Sequence, residues 1–133
     1  MPKSKMPGVL ADTSVWIDFF RGTARVPADF ERLIKTGQIA TCGIVIAELV
    51  SGTRSPGEGE KIEAALAGLD YLEMKRTTWR LAGDMMAQLR RAGVTVPMSD
   101  VILAALAIQN DCRVLTRDRH FRHIPKLRLS VVK

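Results

Sequence analysis

The chain is poor in cysteine, in aromatic residues and in long apolar runs, and each shortage removes a class of protein. Its two cysteines, Cys42 and Cys112, are far apart and form neither a Cys-x-x-Cys pair nor a Cys/His spacing of the zinc kind. Neither a disulfide framework nor a thiolate metal site is expected, and a reducing cytoplasm fits best. Seven aromatics, four Phe, two Trp and one Tyr, are too few to support base stacking along a single strand, with Trp16, Trp79 and Phe30 expected in the core. The longest apolar run, Val101 to Ile108, falls far short of the ~20 residues that span a bilayer, so no membrane role is expected. Lys3 and Lys5 are followed by Asp12 and Asp18 rather than by an apolar core of signal-peptide length, and secretion is not expected.

What is present is the make-up of one soluble domain. With 133 residues, 47% hydrophobic and 26% charged, the chain is long enough to bury one core, and residues 1–133 are expected to form a single domain. The net charge of +6 is unevenly placed: residues 113–133 hold seven Lys/Arg against Asp118 alone, while residues 1–112 hold thirteen basic and thirteen acidic side chains. A segment that carries the whole excess is either a solubilising tail or the footprint of a polyanion, since cations that neutralise phosphates release counterions.

Apolar runs alternate with helical patterns. Gly8 to Ala11 reads as a strand, Ser14 to Arg21 as a helix and Asp29 to Lys35 as part of a second helix. Gln38 to Thr41 reads as a strand, and Ile44 to Val50 as a helix closed by a left-handed Gly52, although its Ile and Val content suits a buried strand as well. A loop at Thr53 to Gly59 precedes a helical stretch, Lys61 to Leu69, and a short strand around Tyr71 and Leu72. Leu81, Met85 and Leu89 recur at helical spacing, with Arg80, Arg90 and Arg91 off the stripe, up to Gly93. A helix that starts at Pro97 or Ser99 is apolar on all sides and should be buried, and Arg113 to Thr116 and Leu127 to Val132 read as the last strands. Strands separated by helices, without hairpin signals, imply an α/β fold with a parallel sheet and helices on both faces. Ligands in such folds bind beyond the carboxyl ends of the strands, where strand order reverses.

Four acids matter in that frame. Asp12 directly follows the first strand and Asp118 the fourth; each also suits a plain cap or turn. Asp100 falls in the first turn of the most apolar helix, where the helix dipole alone favours a negative charge. Glu48 interrupts Ile44-Val45-Ile46-Ala47 and Leu49-Val50, so it needs a partner or a solvent-facing position. Four acids converging at strand ends would repel one another unless cations lay among them. Oxygen ligands suit Mg2+ or Mn2+, and paired ions about 3.5–4 Å apart activate water and neutralise a phosphodiester transition state.

The run Asp12-Thr13-Ser14-Val15-Trp16-Ile17-Asp18 resembles the opening of PIN domains, and of VapC toxins in particular. Ile46-Ala47-Glu48-Leu49-Val50-Ser51-Gly52 is similar to the family's second acidic motif, Ser99-Asp100-Val101-Ile102-Leu103-Ala104-Ala105 to its third, and Leu115-Thr116-Arg117-Asp118 with Phe121 to its fourth. Four such motifs in order, over nearly the whole chain, are specific. The resemblance implies a three-layer sandwich around a five-stranded parallel sheet and the activity of a metal-dependent endoribonuclease, the toxin of a type II toxin–antitoxin system. It implies Asp12, Glu48, Asp100 and Asp118 as catalytic metal ligands or holders of metal-bound water, Mg2+ or Mn2+ as cofactor, and Thr13, Ser14 and Thr116 as supporting hydroxyls. It also implies an antitoxin partner and a homodimer.

The chain departs from the family in its last loop. Many members carry an Asn and then a further Asp there, whereas Asp118 is followed by Arg119, His120, Arg122 and His123. A fifth carboxylate is missing, which leaves a second ion short of a ligand unless RNA phosphate supplies one. Two histidines in a basic loop are expected as surface or phosphate contacts rather than ligands, and Arg117, Arg119 and Arg122 are the expected RNA contacts, made to phosphate and shape rather than to bases. The rival readings are a housekeeping PIN nuclease of RNA maturation and a catalytically idle RNA-binding or interaction module.

Overall fold

The computed structural model describes residues 8–132; Lys3 and Lys5, read above as no signal peptide, lie outside them. Its centre is a five-stranded parallel sheet of β1 (Val9–Ala11), β2 (Ile39–Cys42), β3 (Asp70–Leu72), β4 (Arg113–Thr116) and β5 (Leu129–Val131), in the order β3-β2-β1-β4-β5. The chain steps outward from β1 to β2 and β3, then crosses back to β4 on the other side of β1. Right-handed crossovers therefore put α1 (Thr13–Arg21), α2 (Phe30–Lys35), α3 (Gly43–Ser51) and α4 (Pro56–Leu66) on one face, and α5 (Arg76–Arg91) and α6 (Met98–Gln109) on the other. This is the expected α/β three-layer arrangement. No described helix is long and apolar enough to cross a membrane.

Burial follows from the sequence pattern. All of β1 and β2 is buried, as a central strand covered on both faces requires. In α6 the seven residues Val101 to Ala107 are buried without a break, the consequence of a helix apolar on all sides lying between the sheet and α5. On the opposite face Trp16 of α1 meets Phe30 edge-on at 5.1 Å between ring centroids and Phe19 at 5.6 Å, an aromatic cluster that seats α1 against α2.

The stretch read ambiguously at Ile44 to Val50 is helical, within α3. Several expectations need correction. Gly52 does close α3, its N–H bonding to the Leu49 carbonyl at 3.3 Å, but with φ −88° it is not left-handed; that conformation occurs at Gly22, Gly37 and Gly93. The loop expected at Thr53 to Gly59 is shorter, because Ser55 caps α4 by accepting from the Glu58 N–H and Pro56 takes the first helical position, where its missing N–H costs nothing. That helix ends at Leu66, just before Ala67 and Gly68, not at Leu69. The last strand is confined to Leu129–Val131. Trp79 is 54% exposed rather than buried: the inward stripe of α5 runs through Thr78, Ala82, Met85 and Leu89, one position away from it, with Leu81 on the margin.

Candidate active site

Strand order reverses at β1 and β4, and these neighbours are in register with Ala11 opposite Leu115. The residue after each pair therefore emerges at the same height on the carboxyl edge: Asp12 beside Thr116, with the Asp12 N–H bonding to the Leu115 carbonyl at 2.9 Å. Asp12 is the N-cap of α1 and is only 8% exposed. Its Oδ1 accepts from the Thr13 N–H at 2.7 Å, and its Oδ2 accepts from the Ser14 hydroxyl at 3.0 Å and the Thr116 hydroxyl at 2.6 Å. The capping role expected of Asp12 and its place in the crevice are thus one geometry.

The two hydroxyls also accept. Ser14 Oγ takes the Arg117 N–H at 3.1 Å, and Thr116 Oγ1 takes the Asp118 N–H at 2.9 Å. Each hydroxyl is thereby oriented by a backbone donor and points its own proton at Asp12. Thr13 does the corresponding work for Glu48, donating its hydroxyl to Glu48 Oε1 at 2.6 Å. Glu48 is exposed on α3, so it has both a partner and solvent.

Asp100 is half-buried in the first turn of α6, whose amino end lies at the same edge of the sheet. Burial pushes its carboxyl up from 3.8 to about 6, and the negative charges of Asp12, Asp118 and Glu48 push the same way, with His120 opposing. Asp12 is also raised above the ordinary value of 3.8, by burial first and then by Glu48, against the three hydrogen bonds that favour its charged form. Asp100 therefore lies within the field of the three other acids singled out in the sequence. Asp118 caps the 3-10 turn Arg119–His123, its Oδ1 accepting from the His120 N–H at 2.8 Å. Among the described residues, Asp100, Asp118 and His120 each present a donor atom within 4.8 Å of the others.

Arg117 has a different setting from its neighbours. Its Nη1 donates to both carboxylate oxygens of Asp18, at 3.0 and 3.1 Å, and Asp18 is 4% exposed on the inward side of α1. Arg119 and Arg122 are exposed and make no ion pair with the described residues. The Asp18 partnership was missed in the sequence, although a charge inside Val15-Trp16-Ile17-Asp18-Phe19-Phe20 carries the same signal that marked Glu48. His120 was likewise set aside; only the turn that Asp118 caps brings its ring to the acids.

An all-parallel α/β sheet with an acidic crevice where its strand order reverses defines the class. The chain belongs to the PIN-domain family, whose model matches residues 9–127. It is 32% identical to VapC ribonuclease Mb1587 of Mycobacterium bovis and to ribonuclease VapC11 of Mycobacterium tuberculosis, over 90% of this chain and 92% of each relative. Among solved structures it resembles DNA-bound VapBC from Salmonella typhimurium, with a TM-score of 0.82 at 21% identity over 95% of this chain and 98% of that one. VapBC2 from Rickettsia felis, bound to a promoter DNA fragment, gives 0.80 at 22% identity over 94% and 98%.

Two outcomes test this geometry. The raised Asp100 carboxyl favours its neutral form in the fold, so its contribution to stability is full below 3.8 and is lost as pH rises through about 6. In EDTA, Asp100→Asn should melt at a higher temperature than the parent at neutral pH, with the gap closing as pH falls towards 3.8; a pH-independent gap contradicts the crowding. Arg117→Met should lower the free energy of unfolding in urea by about 1.5–3 kcal/mol, because it leaves the buried Asp18 carboxylate without its donors.

Proposed function

We propose that this chain is a metal-dependent endoribonuclease, the toxin of a type II toxin–antitoxin pair, with Asp12, Glu48, Asp100 and Asp118 as its catalytic carboxylates. The observation that carries the reading is the convergence of these acids around Asp100 at the strand-order reversal. A crevice that holds its carboxyls against their own repulsion is built to be neutralised by a cation. The donor set is rich in carboxylate oxygen, which fits Mg2+ or Mn2+. Asp12, Asp100 and Asp118 would hold the ion and Glu48 its water. When bound, such an ion supplies a more acidic water and charge neutralisation at a phosphodiester.

The chain's own residues do the positioning. Ser14 and Thr116 hold the Asp12 carboxylate in one orientation, and Thr13 holds Glu48. Arg119 and Arg122, exposed on the turn that follows Asp118, are the candidate phosphate contacts, while Arg117 braces the loop from beneath through Asp18. The VapC ribonuclease relatives support RNA as the substrate, and the two widely separated cysteines fit action in a reducing cytoplasm. The VapBC complexes among the structural neighbours support an antitoxin partner. An apolar groove of about 530 Å3 that includes Ile17, Phe20, Leu49 and Ile62, with Glu48 on its wall, offers such a partner a seat next to the crevice. A cation from that partner, placed among the acids, would keep the enzyme at rest. A homodimer of one domain is part of the same proposal.

The experiment is RNA cleavage by purified protein with Mg2+, Mn2+ or EDTA. Asp100→Asn and Asp118→Asn should each lose at least about 100-fold in rate with the fold intact, since even outer-shell partners of a metal site cost up to that much. Cleavage in EDTA, or at the parental rate in both variants, rejects the carboxylate site. Replacing Arg119 and Arg122 with Gln should weaken binding to unrelated single-stranded RNAs and flatten the log–log salt dependence by about 0.7 for each phosphate no longer neutralised. An unchanged slope in a salt titration puts the RNA path elsewhere.

A further inference from the structure

The last loop lacks the further carboxylate that many PIN domains carry, yet it is not without a donor. Asp118 folds the following turn by accepting the His120 N–H on Oδ1 at 2.8 Å, and that cap swings the imidazole back so that its Nδ1 also lies 2.8 Å from Asp118 Oδ1. The side chain is 61% exposed, and its ring nitrogen rests against the Asp118 carboxylate. At 2.8 Å the two atoms are at hydrogen-bond distance, so a cation bound here would take the place of the proton between them. Asp100 brings a third donor, all three lying within 4.8 Å of one another.

We propose that His120 is a metal ligand in company with Asp100 and Asp118, and that it tilts the site from Mg2+ towards a first-row transition ion of the Co2+ or Zn2+ kind. This rests on the metal-dependent reading above. Its chemical basis is donor softness: carboxylate and water suit Mg2+, whereas imidazole suits the later transition ions, which follow the Irving–Williams order. An imidazole in place of a carboxylate also lowers the negative charge of the site, which removes more affinity for a hard ion than for a softer one. The exposed position of His120 leaves the fold independent of its side chain, so substitutions there report on the ion.

The test is calorimetric titration of metal-free protein, without RNA, by Co2+ and by Mg2+. Loss of a hydrogen-bond partner to a metal ligand already costs about 10–100-fold in affinity, so His120→Ala should lose at least about tenfold for Co2+ and change far less for Mg2+. His120→Asp should bind Mg2+ more tightly than the parent and reverse the preference. His123→Ala removes the chain's other imidazole and should leave both affinities as they were. Mn2+-loaded protein should show nitrogen coupling in pulsed electron paramagnetic resonance that disappears in His120→Ala alone. If His120→Ala keeps the parental Co2+/Mg2+ ratio while Asp118→Asn loses both ions, the cation site stands and His120 is not its ligand. If Asp100→Asn and Asp118→Asn bind both ions as the parent does, the metal-dependent reading fails and this inference with it.

Discussion

One carboxylate oxygen holds the carboxyl edge of the sheet together. Asp12 Oδ2 receives the hydroxyls of Ser14 and Thr116, and those same hydroxyls receive the backbone N–H groups of Arg117 and Asp118. The oxygen of a residue on β1's end thereby organises the loop at the end of β4, about a hundred positions later in the chain. Buried hydrogen bonds to a charged acceptor are among the stronger polar contacts, and here each donor is itself fixed by a second bond, so the network is satisfied throughout. Only the parallel register of β1 and β4 brings Asp12 and Thr116 to the same height.

The same arrangement sets the electrostatic character of the crevice. Hydrogen bonds can hold Asp12 ionised, but they do not cancel its charge, and Asp100, Glu48 and Asp118 add to it. Asp100 bears the consequence most, since it is half-buried and faces all three. The positive charge nearby is distributed by depth. Arg117 turns inward to Asp18 and steadies the loop, whereas Arg119 and Arg122 turn outward on the 3-10 turn. On the proposed function, acids in the crevice and exposed arginines on the adjoining turn would suit an anionic polymer.

The contrast between neighbouring arginines shows how far charge pattern alone can be read. The excess of Lys/Arg after residue 112 is visible in the sequence, and so is the alternation of strands and helices that makes a parallel α/β fold. It does not reveal that Arg117 is committed to a buried acid and its neighbours are not, because Asp18 lies far off in the chain and meets Arg117 only across the β1–β4 junction. Trp79 teaches a related lesson. Hydrophobicity marks it for the core, but the face of α5 that meets α6 is set by Thr78, Ala82, Met85 and Leu89, and a residue one step round the helix is left outside.

What the sequence by itself determined was periodicity and its breaks: apolar strands, an all-apolar α6, and acids at the ends of β1 and β4 where local chemistry alone favours a cap. Those properties are local, and so were legible. The four acidic motifs, through their order, also carried the family. Tertiary structure decided which capping acids share a crevice, because that depends on β4 returning to lie beside β1. It decided that Ser14 and Thr116 act on one oxygen, that Thr13 reaches Glu48, and that a ring nitrogen of the exposed His120 meets Asp118. These are contacts between residues far apart in sequence or across a turn whose shape is set by a single hydrogen bond, and neither kind of information is carried by the spacing of residue types along the chain.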